Sequence, residues 1–566
     1  MAEVRELYDR VRSAPDGFRL ETLLTEMQVD LQLPPADLAR IPAKGPLVAV
    51  ANHPLGVLDG AALGAILSRV RPDVRVMTNS LLEGIPELRD HCFFVDPFHS
   101  PKSAERNLKA LKQALEWLRG GGALAVFPAG EVSQFQVGQG QVSDPAWNTV
   151  AARLIRRTGA TALPVYFCGH NSMTFQLLGL IHPRLRTLVL MQEFLNQRGK
   201  KLEVRIGTSI PSDLVAGIET DREATEYLRL RTYLLSYRGK KELSLPTKMR
   251  AVLPKKAQET VTDAVPPRLV AHDVAALPSS QLLAENGEFA VYAARAPQIP
   301  HLIEELGRLR EITFRAAGEG TGKASDLDQF DAYYWHIVLW NKEKQELVGA
   351  YRAGNTDEII RAYGVKGLYT HTVFRYDERL FMKIGSALEL GRSFIRAEYQ
   401  RQYAPLLLLW KGIARFVAAS PQTPLLFGAV SISNEYSRLS RELIVRYFES
   451  RDDGREFAEL VQPRTPFRTP RLRRWDCRTL CDALHNLDEL GEPISDVEED
   501  GKGVPILIRQ YDKLGGKLVG FNLDRKFSDV VDGLVIVDLR QTDGTVLERY
   551  MGKDGYANFR RFHKLD

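Results

Sequence analysis

The sequence predicts an α/β protein built from two different α/β domains. Three observations lead to this prediction. The chain has 566 residues, more than a single hydrophobic core usually organises. Apolar strand-like runs alternate with helix-like stretches in both halves, and no internal repeat relates one half to the other. A stretch rich in Lys and Pro separates the halves, so we assign residues 1–240 and 281–566 to the domains and residues 241–280 to a linker.

The first domain begins its alternation near residue 46. The expected strands are short apolar runs: LVAVA, VRVMTN, FFVDPF, ALAVFPAG and TALPVYFCG. The expected helices are GAALGAILSRV and KSAERNLKALKQALEWLRGGG. In the second helix Leu108, Leu111, Leu115 and Leu118 are spaced for one buried face.

The second domain continues the alternation with different elements. The expected helices are IPHLIEELGRLREITFR and FMKIGSALELGRSFIRAEY, and the expected strands are YYWHIVLWN, QELVGAYRAG and PLLFGAVSIS. Residues after about 465 contain short strands and a long helix. We expect them to form an added C-terminal subdomain or to complete the fold of the second domain.

Composition narrows the class of protein. The chain is 44% hydrophobic and 26% charged, and no apolar run reaches the roughly 20 residues that cross a bilayer. The N-terminus is charged and lacks the apolar core of a secretory signal, so we expect a cytoplasmic chain. Four scattered cysteines favour neither a disulfide framework nor a metal site. The acid-free stretch 153–186 contains five arginines and predicts a basic face for anionic lipid or an acidic carrier protein, whereas nucleic-acid motifs are absent.

The octapeptide NHPLGVLD, residues 52–59, places a histidine directly after the apolar run LVAVA. One interpretation is structural: a neutral His53 packs at a strand end, and Asp59 caps the helix that follows. The other is chemical, because a histidine held by a carboxylate is a general base that can take a proton from a hydroxyl. The octapeptide alone does not decide between them.

Three further motifs follow in order: FFVDPF, FPAGEVS and ALPVYF. Together with His53 and Asp59 they resemble the motifs of the glycerolipid acyltransferases that acylate lysophosphatidic acid, over about residues 40–215. The resemblance implies that His53 deprotonates an acceptor hydroxyl while Asp59 orients its ring and stabilises the imidazolium. The hydroxyl oxygen then attacks an acyl thioester. The acceptor pocket implied by the resemblance is lined by Gly130, Glu131 and Ser133.

This sequence departs from that family at three points. One residue more separates His53 from Asp59. Ala129 stands where relatives have a glutamate, and Pro97 and Phe98 stand where they have an arginine. The last two departures fall where relatives hold the acceptor's phosphate. The resemblance therefore favours an acceptor that carries no phosphate.

Chemistry-bearing residues of the second domain form a spaced series: Arg310, Phe314, Asp328, Asp331, Arg352, Glu389 and Arg392. Glu389 and Arg392 lie three apart in a predicted helix, where a surface ion pair is the simplest interpretation. A cationic amino-acid substrate would use such groups differently. Carboxylates would hold its ammonium groups, an arginine would hold its carboxylate, and a base would keep the attacking amine neutral.

The order of these residues resembles acyl-homoserine-lactone synthases and, more closely, ornithine N-acyltransferases of the acetyltransferase-like (GNAT) superfamily, over about residues 285–450. Those families move an acyl chain from acyl carrier protein to an α-amino group. The resemblance implies that Asp328, Asp331 and Glu389 serve as ammonium ligands or base, and that Arg352 and Arg392 hold an anion or fix the carboxylates. The superfamily's coenzyme A pyrophosphate loop is not evident, which favours acyl carrier protein as donor and no bound cofactor.

Two such domains in one chain resemble the bifunctional ornithine lipid synthases of bacteria. The resemblance implies N-acylation of ornithine by the second domain, O-acylation of the lyso-ornithine lipid by the first, and peripheral attachment to the anionic inner face of the inner membrane. Two alternatives remain. One is a lysophospholipid acyltransferase joined to an N-acyltransferase for another amino acid, such as glycine or lysine. The other is a catalytically inactive membrane-associated protein that binds lipid.

Overall fold

The computed structural model of the chain describes these residues: 2–15, 18–96, 103–136, 140–181, 183–239, 258–468, 480, 481, 483–525, 527 and 529–565. The chain divides into two compact units. The first contains residues 1–240 and 470–503, and the second contains residues 241–469 and 504–566. Each unit is described separately below.

The first unit is built on a seven-stranded sheet with the order β1-β9-β8-β2-β5-β3-β4. Its strands are β1 Asp30–Gln32, β2 Leu47–Ala51, β3 Val74–Asn79, β4 Cys92–Val95, β5 Ala123–Val126, β8 Thr161–Phe167 and β9 Lys201–Ile206. A small hairpin is formed by β6 Gln134–Gln136 and β7 Gln141–Ser143. Strands β8, β2, β5, β3 and β4 run parallel. The apolar runs of the sequence are therefore strands, and β2 and β5 are buried on both faces.

Helices cover this sheet, and several begin or end where the sequence predicts. They are Ala2–Arg12, Leu20–Glu26, Pro35–Leu38, Val57–Ser68, Ser103–Arg119, Val150–Thr158, Met173–Ile181, Pro183–Leu195, Ser212–Gly217, Asp221–Leu234 and Leu487–Val497. The predicted buried face of Ser103–Arg119 is rotated, because Leu108 is 56% exposed while Ala110, Ala114 and Leu118 are buried. Asn107 lies on the inner side instead and exchanges hydrogen bonds with the backbone of Asp96.

The Leu487–Val497 helix corrects the predicted domain limits, which placed it in the second domain. Asp496 on this helix is fully buried and accepts hydrogen bonds from Arg40, Thr208 and Arg231. All of these residues belong to the first unit. A buried carboxylate needs such partners, so its charge network attaches this distant segment to the first unit.

The second unit is built on an eight-stranded sheet with the order β10-β11-β12-β13-β15-β16-β19-β18. The strands are β10 Leu282–Asn286, β11 Phe289–Arg295, β12 Trp335–Asn341, β13 Glu346–Asn355, β15 Ala387–Ile395, β16 Leu425–Ile432, β18 Lys517–Asp524 and β19 Val530–Asp538. The pairs are antiparallel except for β15 with β16. Strands β14 Phe374–Tyr376 and β17 Val461–Pro463 form a separate pair. Residues 504–566 thus complete the sheet of this unit, which replaces the predicted added subdomain.

The helices of the second unit pack on both faces of its sheet. They are Pro267–Ala275, Pro300–Ala316, Thr356–Tyr363, Glu378–Ile384, Tyr403–Ala419, Arg438–Ser450, Arg455–Ala458, Ile506–Lys513, Gly544–Met551 and Lys553–His563. The first of these lies in the predicted linker, yet Val270 and Val274 join the core of this unit. The remaining linker residues up to 257 lie outside the described part of the chain.

One predicted helix of the second unit is wrong. The stretch FMKIGSALELGRSFIRAEY divides at Gly385, which follows the Glu378–Ile384 helix with φ +63°. A positive φ is the usual end of a helix, and glycine adopts it without steric strain. The following residues form β15 because they pair with β13 on one side and β16 on the other. Sheet pairing, a tertiary interaction, overrides the helical spacing.

Candidate active sites

The His53–Asp59 pair lies at the carboxyl edge of the first sheet. His53 Nδ1 is 3.1 Å from Asp59 Oδ2, which also accepts the backbone N–H groups of Leu55 and Gly56 at 2.8 and 3.0 Å. Asp59 is the third residue of the Val57–Ser68 helix, so the same carboxylate caps the helix and holds the histidine. Both interpretations of the octapeptide are therefore combined, and the extra residue between the two side chains does not separate them.

Burial distinguishes the two members of the pair. Asp59 is fully buried, and burial raises the pKa of its carboxyl although the His53 contact and the two backbone amides oppose that rise. The His53 side chain remains 19% exposed. Because Nδ1 faces Asp59, Nε2 is the ring nitrogen left for a substrate hydroxyl.

The loop after β5 completes the surroundings of His53. Strands β2 and β5 pair in parallel with Val50 opposite Val126, so the residues that follow them meet at one edge. Phe127 stacks on the His53 ring with centroids 4.3 Å apart. The Ser133 amide donates to the His53 carbonyl oxygen at 2.8 Å. The ring of His53 is thus held by an aromatic contact and its backbone by a neighbouring loop.

The three predicted pocket residues occupy different environments. Gly130 and Glu131 are exposed on the loop after β5, and Gly130 has φ +69°. Ser133 is 2% exposed, and its hydroxyl donates to Asp144 Oδ1. The prediction that Ser133 lines the acceptor pocket is therefore not supported by its position, because its side chain faces the protein interior.

Asp144 is a residue of this site that sequence reasoning missed. Its Oδ1 accepts the His53 backbone N–H at 3.1 Å, and its Oδ2 accepts the indole N–H of Trp147 at 2.9 Å. The Tyr233 hydroxyl, in turn, accepts the Asp144 backbone N–H at 2.9 Å. Asp144 thus fixes the histidine loop from behind. No local signal points to it, because it lies 91 residues from His53 in sequence.

In the second unit, the predicted charged residues meet in a buried cluster. The Asp331 carboxylate accepts hydrogen bonds from two guanidinium nitrogens of Arg310, at 3.0 Å each, and from Arg352 Nη1 at 3.2 Å. Arg352 Nη1 also donates to Asp328 Oδ1 at 2.7 Å. Burial pushes the pKa of Asp331 upward, but the two arginines hold it well below its usual range. Asp331 is therefore a charged partner of two arginines, which corrects its predicted role as an ammonium ligand.

The same cluster contains an aromatic layer and a backbone distortion. The Arg352 guanidinium lies over the rings of Phe330, Tyr334 and Tyr369 at 5.5, 5.3 and 4.9 Å, and Arg392 lies over Tyr369 at 4.8 Å. Arg392 has φ +49° where the pairing of β13 with β15 shifts register. Such bulges aim a side chain out of the regular pattern and are common near functional sites.

Arg392 and Glu389 do not pair with each other as predicted, since both lie on a strand. Arg392 Nε and Nη2 lie 3.4 Å from Asp326 Oδ2 and 3.5 Å from Asp328 Oδ2. Asp326, two residues before Asp328 in the sequence, is a member of this cluster that the sequence pattern does not predict. Phe314, another predicted residue, is partly buried and packs against the core between the Pro300–Ala316 helix and the sheet.

Glu389 is 1% exposed and fully engaged in hydrogen bonds. It accepts the Tyr334 hydroxyl, the Tyr369 amide at 3.1 Å and the Thr370 amide at 2.6 Å. Burial raises the pKa of Glu389, and these donors oppose the rise. The side chain is placed to hold the Tyr369–Thr372 turn under the arginine cluster. With 1% exposure and three donors on its carboxylate, its position does not support the predicted part as the base for the substrate amine.

Strands β15 and β16 separate beside this cluster. Their parallel pairing runs from Ala387↔Leu425 to Leu390↔Gly428, whereas β15 continues to Ile395 and β16 to Ile432. Parallel strands that diverge leave backbone N–H and C=O groups without sheet partners at the gap. The arginine–aspartate cluster and this gap together form the candidate site of the second unit.

Comparison with known proteins finds a matching family for part of each unit. A family described as Acyltransferase matches residues 31–240, and a family described as Acetyltransferase (GNAT) domain matches residues 309–411. A glycine N(alpha)-acyltransferase of Phocaeicola vulgatus is 30% identical over 269 residues, which cover 44% of this chain and 80% of that protein. The chain belongs to the same family of acyltransferases as this relative. It is an acyltransferase that combines two different acyltransferase domains.

Two further proteins are similar to part of the chain. A lyso-glycine lipid O-acyltransferase of the same species is 29% identical over 205 residues. The match covers 35% of the present chain and 71% of that relative. A 1-acyl-sn-glycerophosphate acyltransferase from Thermotoga maritima, known as a crystal structure, is 19% identical and covers 37% of this chain and 72% of that one. Its TM-score of 0.26 is too low to inform the geometry of either site. The predicted α/β class with two acyltransferase domains is confirmed.

Proposed function

We propose that this acyltransferase makes an amino-acid lipid in two steps, with ornithine as the amino acid. The second unit joins a 3-hydroxyacyl group from acyl carrier protein to the α-amine, and the first unit then esterifies the 3-hydroxyl of that lyso-lipid. The observation that carries the proposal is the His53–Asp59 pair, built for a hydroxyl acceptor, in one chain with a GNAT domain. Relatives named for an N-acylation and for a lyso-lipid O-acylation support the same two steps.

The ester-forming step follows from the geometry of His53. Nε2 takes the proton of the acceptor hydroxyl as its oxygen attacks the thioester carbonyl, and Asp59 stabilises the resulting imidazolium through Nδ1. The C–S bond then breaks, and the thiolate leaves with the proton that His53 returns. A phosphate is not needed in this scheme. The sequence departure at Ala129 fits such an acceptor, and Pro97 and Phe98 lie outside the described residues.

The amide-forming step uses the divergence of β15 and β16. The pantetheine arm of acyl carrier protein carries amides that can pair with the free backbone groups along the gap. Its thioester then lies beside the Arg352 and Arg392 cluster, where the carboxylate of an amino acid finds cationic groups. The neutral amine attacks the thioester carbonyl, the C–S bond breaks, and the proton that the amine loses passes to the leaving thiolate, so that the amide and the thiol are released.

Glycine is the second candidate for the amino acid, because both N-acyltransferase relatives are named for glycine. The two candidates differ in charge, since ornithine carries a second ammonium group and glycine does not. Lysophospholipid acylation by the first unit remains an alternative for the O-acyl step.

Attachment to the inner membrane surface is part of the proposal. No helix among the described residues is long and apolar enough to cross a bilayer. Met173 and Leu177 are 67% and 55% exposed and lie one turn apart on the Met173–Ile181 helix, where apolar side chains could enter a lipid surface. The predicted basic face is smaller than expected, because Arg153 and Arg156 pair with Asp221. The side chains of the two arginines after residue 181 lie outside the described part of the chain.

Lipid analysis of a bacterium without aminolipids tests the proposal. The strain expresses the wild-type chain, His53→Ala, or His91→Ala as a control at an exposed histidine of the same unit. We expect diacylated ornithine lipid from the wild type and the control, and only the monoacyl amide from His53→Ala. Glycine lipid in place of ornithine lipid would select the second candidate. No aminolipid from a folded wild-type chain would refute the amide-forming step.

A further inference from the structure

Beside the arginine cluster lies a group of carboxylates in which one buried member, Asp532, has no ion pair with any described residue. Three arginines lie here: Arg310, Arg352 and Arg392. Three carboxylates are paired with them: Asp326, Asp328 and Asp331. A further group of carboxylates lies near Arg392 and interacts electrostatically within the group: Glu319, Asp524 and Asp532. Buried charges are normally paired, so a member of this group without a partner would indicate a missing cation.

Asp532 is the member of this group that has no partner. It lies on β19 and is 8% exposed, and its carboxylate receives no hydrogen bond or ion pair from any residue that the structure describes. Burial raises its pKa well above the usual range, the nearby Asp524 and Glu319 add to that rise, and Arg392 opposes it. The side chain therefore faces two other acids and one arginine, and it lacks the contact that would make its charge favourable.

Glu319 is connected to the surroundings of Asp532 through Ser431. It follows the Pro300–Ala316 helix and accepts the Ser431 hydroxyl at 3.0 Å. Ser431 is the cross-strand partner of Asp532, so all three side chains lie on one face of the sheet. Ser431 also lies on the part of β16 that has separated from β15. The acidic group is thus located at the gap that the amide-forming step uses.

The chemistry of this group fits a primary ammonium. Among the described residues, no set of three or more His, Cys, Asp or Glu side chains is arranged to hold a metal ion. An ammonium group donates three hydrogen bonds and needs no such convergence. It cannot be the attacking amine, because surplus carboxylates raise the pKa of an amine and keep it protonated. The group that they hold must be a second, non-reacting ammonium.

We propose that Asp532 and Glu319 bind the side-chain ammonium of a dibasic amino acid whose α-amine is acylated at the β15–β16 gap. The proposal rests on the N-acylation proposed above and specifies its substrate class. The unpaired Asp532 carboxylate gains its missing cation only when such a substrate is present. Glycine, which has no side-chain ammonium, leaves this acidic group unoccupied.

Norvaline provides the matched substrate, because it has the carbon chain of ornithine without the side-chain ammonium. The purified full chain is assayed with 3-hydroxyacyl thioester on acyl carrier protein and L-ornithine, L-norvaline or glycine as acceptor. Asp532→Asn removes the charge with little change in size. Asp529→Asn is the control, because Asp529 is an exposed residue of the turn between β18 and β19.

We expect the wild type to prefer ornithine to norvaline and glycine. Asp532→Asn removes a hydrogen bond between charged groups, so kcat/KM for ornithine should fall about 10- to 100-fold, mainly through a higher KM. The corresponding loss for norvaline should be at least tenfold smaller, and Asp529→Asn should match the wild type with both substrates. The melting temperature of unliganded Asp532→Asn should equal or exceed that of the wild type, since an uncompensated buried charge is removed.

Each other outcome has a distinct meaning. Equal kcat/KM for ornithine, norvaline and glycine would overturn the ammonium site and leave N-acylation intact. Equal losses for ornithine and norvaline in Asp532→Asn, with a lower melting temperature, would show that Asp532 supports the fold and would overturn the site as well. No amide from any amino acid with a folded wild-type chain would refute the proposed N-acylation itself, and the site with it.

Discussion

Asp59→Asn is a substitution that removes one charge and preserves the surrounding contacts. All three hydrogen bonds to Asp59 end on Oδ2, from His53 and from the amides of Leu55 and Gly56. The other oxygen is buried without a hydrogen-bond partner. In the variant the amide oxygen can replace Oδ2, and the amide nitrogen can replace the unpartnered oxygen. The position of the imidazole is then retained while the negative charge beside it is lost.

The size of the effect follows from the separation of the two groups. His53 Nδ1 lies 3.1 Å from Asp59 Oδ2, so the centres of charge are close to contact. Two unit charges about 4 Å apart attract by about 4 kcal/mol at an effective dielectric constant of about 20. His53 carries its positive charge only after it accepts the substrate proton, so this energy is lost from the transition state. We therefore expect kcat for ester formation to fall about 10³-fold.

The stability of Asp59→Asn should move in the opposite direction. Burial raises the pKa of Asp59 in the folded chain, so the group favours folding most below its unfolded pKa and contributes less as the pH rises. At neutral pH the neutral asparagine should leave the melting temperature equal or higher. The assay is ester formation on the lyso-lipid, with amide formation by the same chain as internal control. A folded variant that keeps more than a tenth of the ester-forming rate would refute the reasoning.

Three other predictions concern residues outside that pair. Asp144→Asn should slow ester formation without affecting amide formation, because Asp144 holds the His53 loop; equal effects on both rates would contradict this. Glu389→Gln should lower the free energy of unfolding by about 1–3 kcal/mol in denaturant titrations, since amides donate to both carboxylate oxygens and the glutamine NH2 would oppose one of them. Burial lowers the pKa of His336 to about 4. The stability that neutral His336 contributes should therefore be complete above pH 6.5 and decline toward pH 4. Thermal melts at pH 7 and pH 5 would detect this decline. The melting temperature of a His336→Gln variant should depend less on pH.

The linear pattern of the chain was sufficient to predict the five parallel strands of the first unit and the pairing of His53 with Asp59. Apolar runs bounded by Gly and Pro can be strands of a doubly covered sheet, and residues that follow neighbouring parallel strands meet at one edge. The pairing of His53 with Asp59 is local, six residues apart and closed by a helix N-terminus. Local hydrogen bonds of this kind are encoded in the order of residues.

The second unit shows where local pattern fails. Glu389 and Arg392 have helical spacing, but Gly385 ends the helix and the following residues pair with strands from distant parts of the chain. Helical and extended conformations of a short segment differ little in intrinsic energy. Packing against β13 and β16 decides between them, and the roles of both side chains change with the decision.

By itself the sequence determined the α/β class and the two acyltransferase domains. It also predicted the pairing of His53 with Asp59 and the series of charged residues in the second half. Only the tertiary structure decided which of those charges neutralise one another and which do not. Asp331 is paired with two arginines, whereas Asp532, on β19, has Arg392 nearby but forms no ion pair with any residue that the structure describes. The physical reason is that the free energy of a charge depends on its burial and on partners brought together by folding, and residue order specifies neither directly.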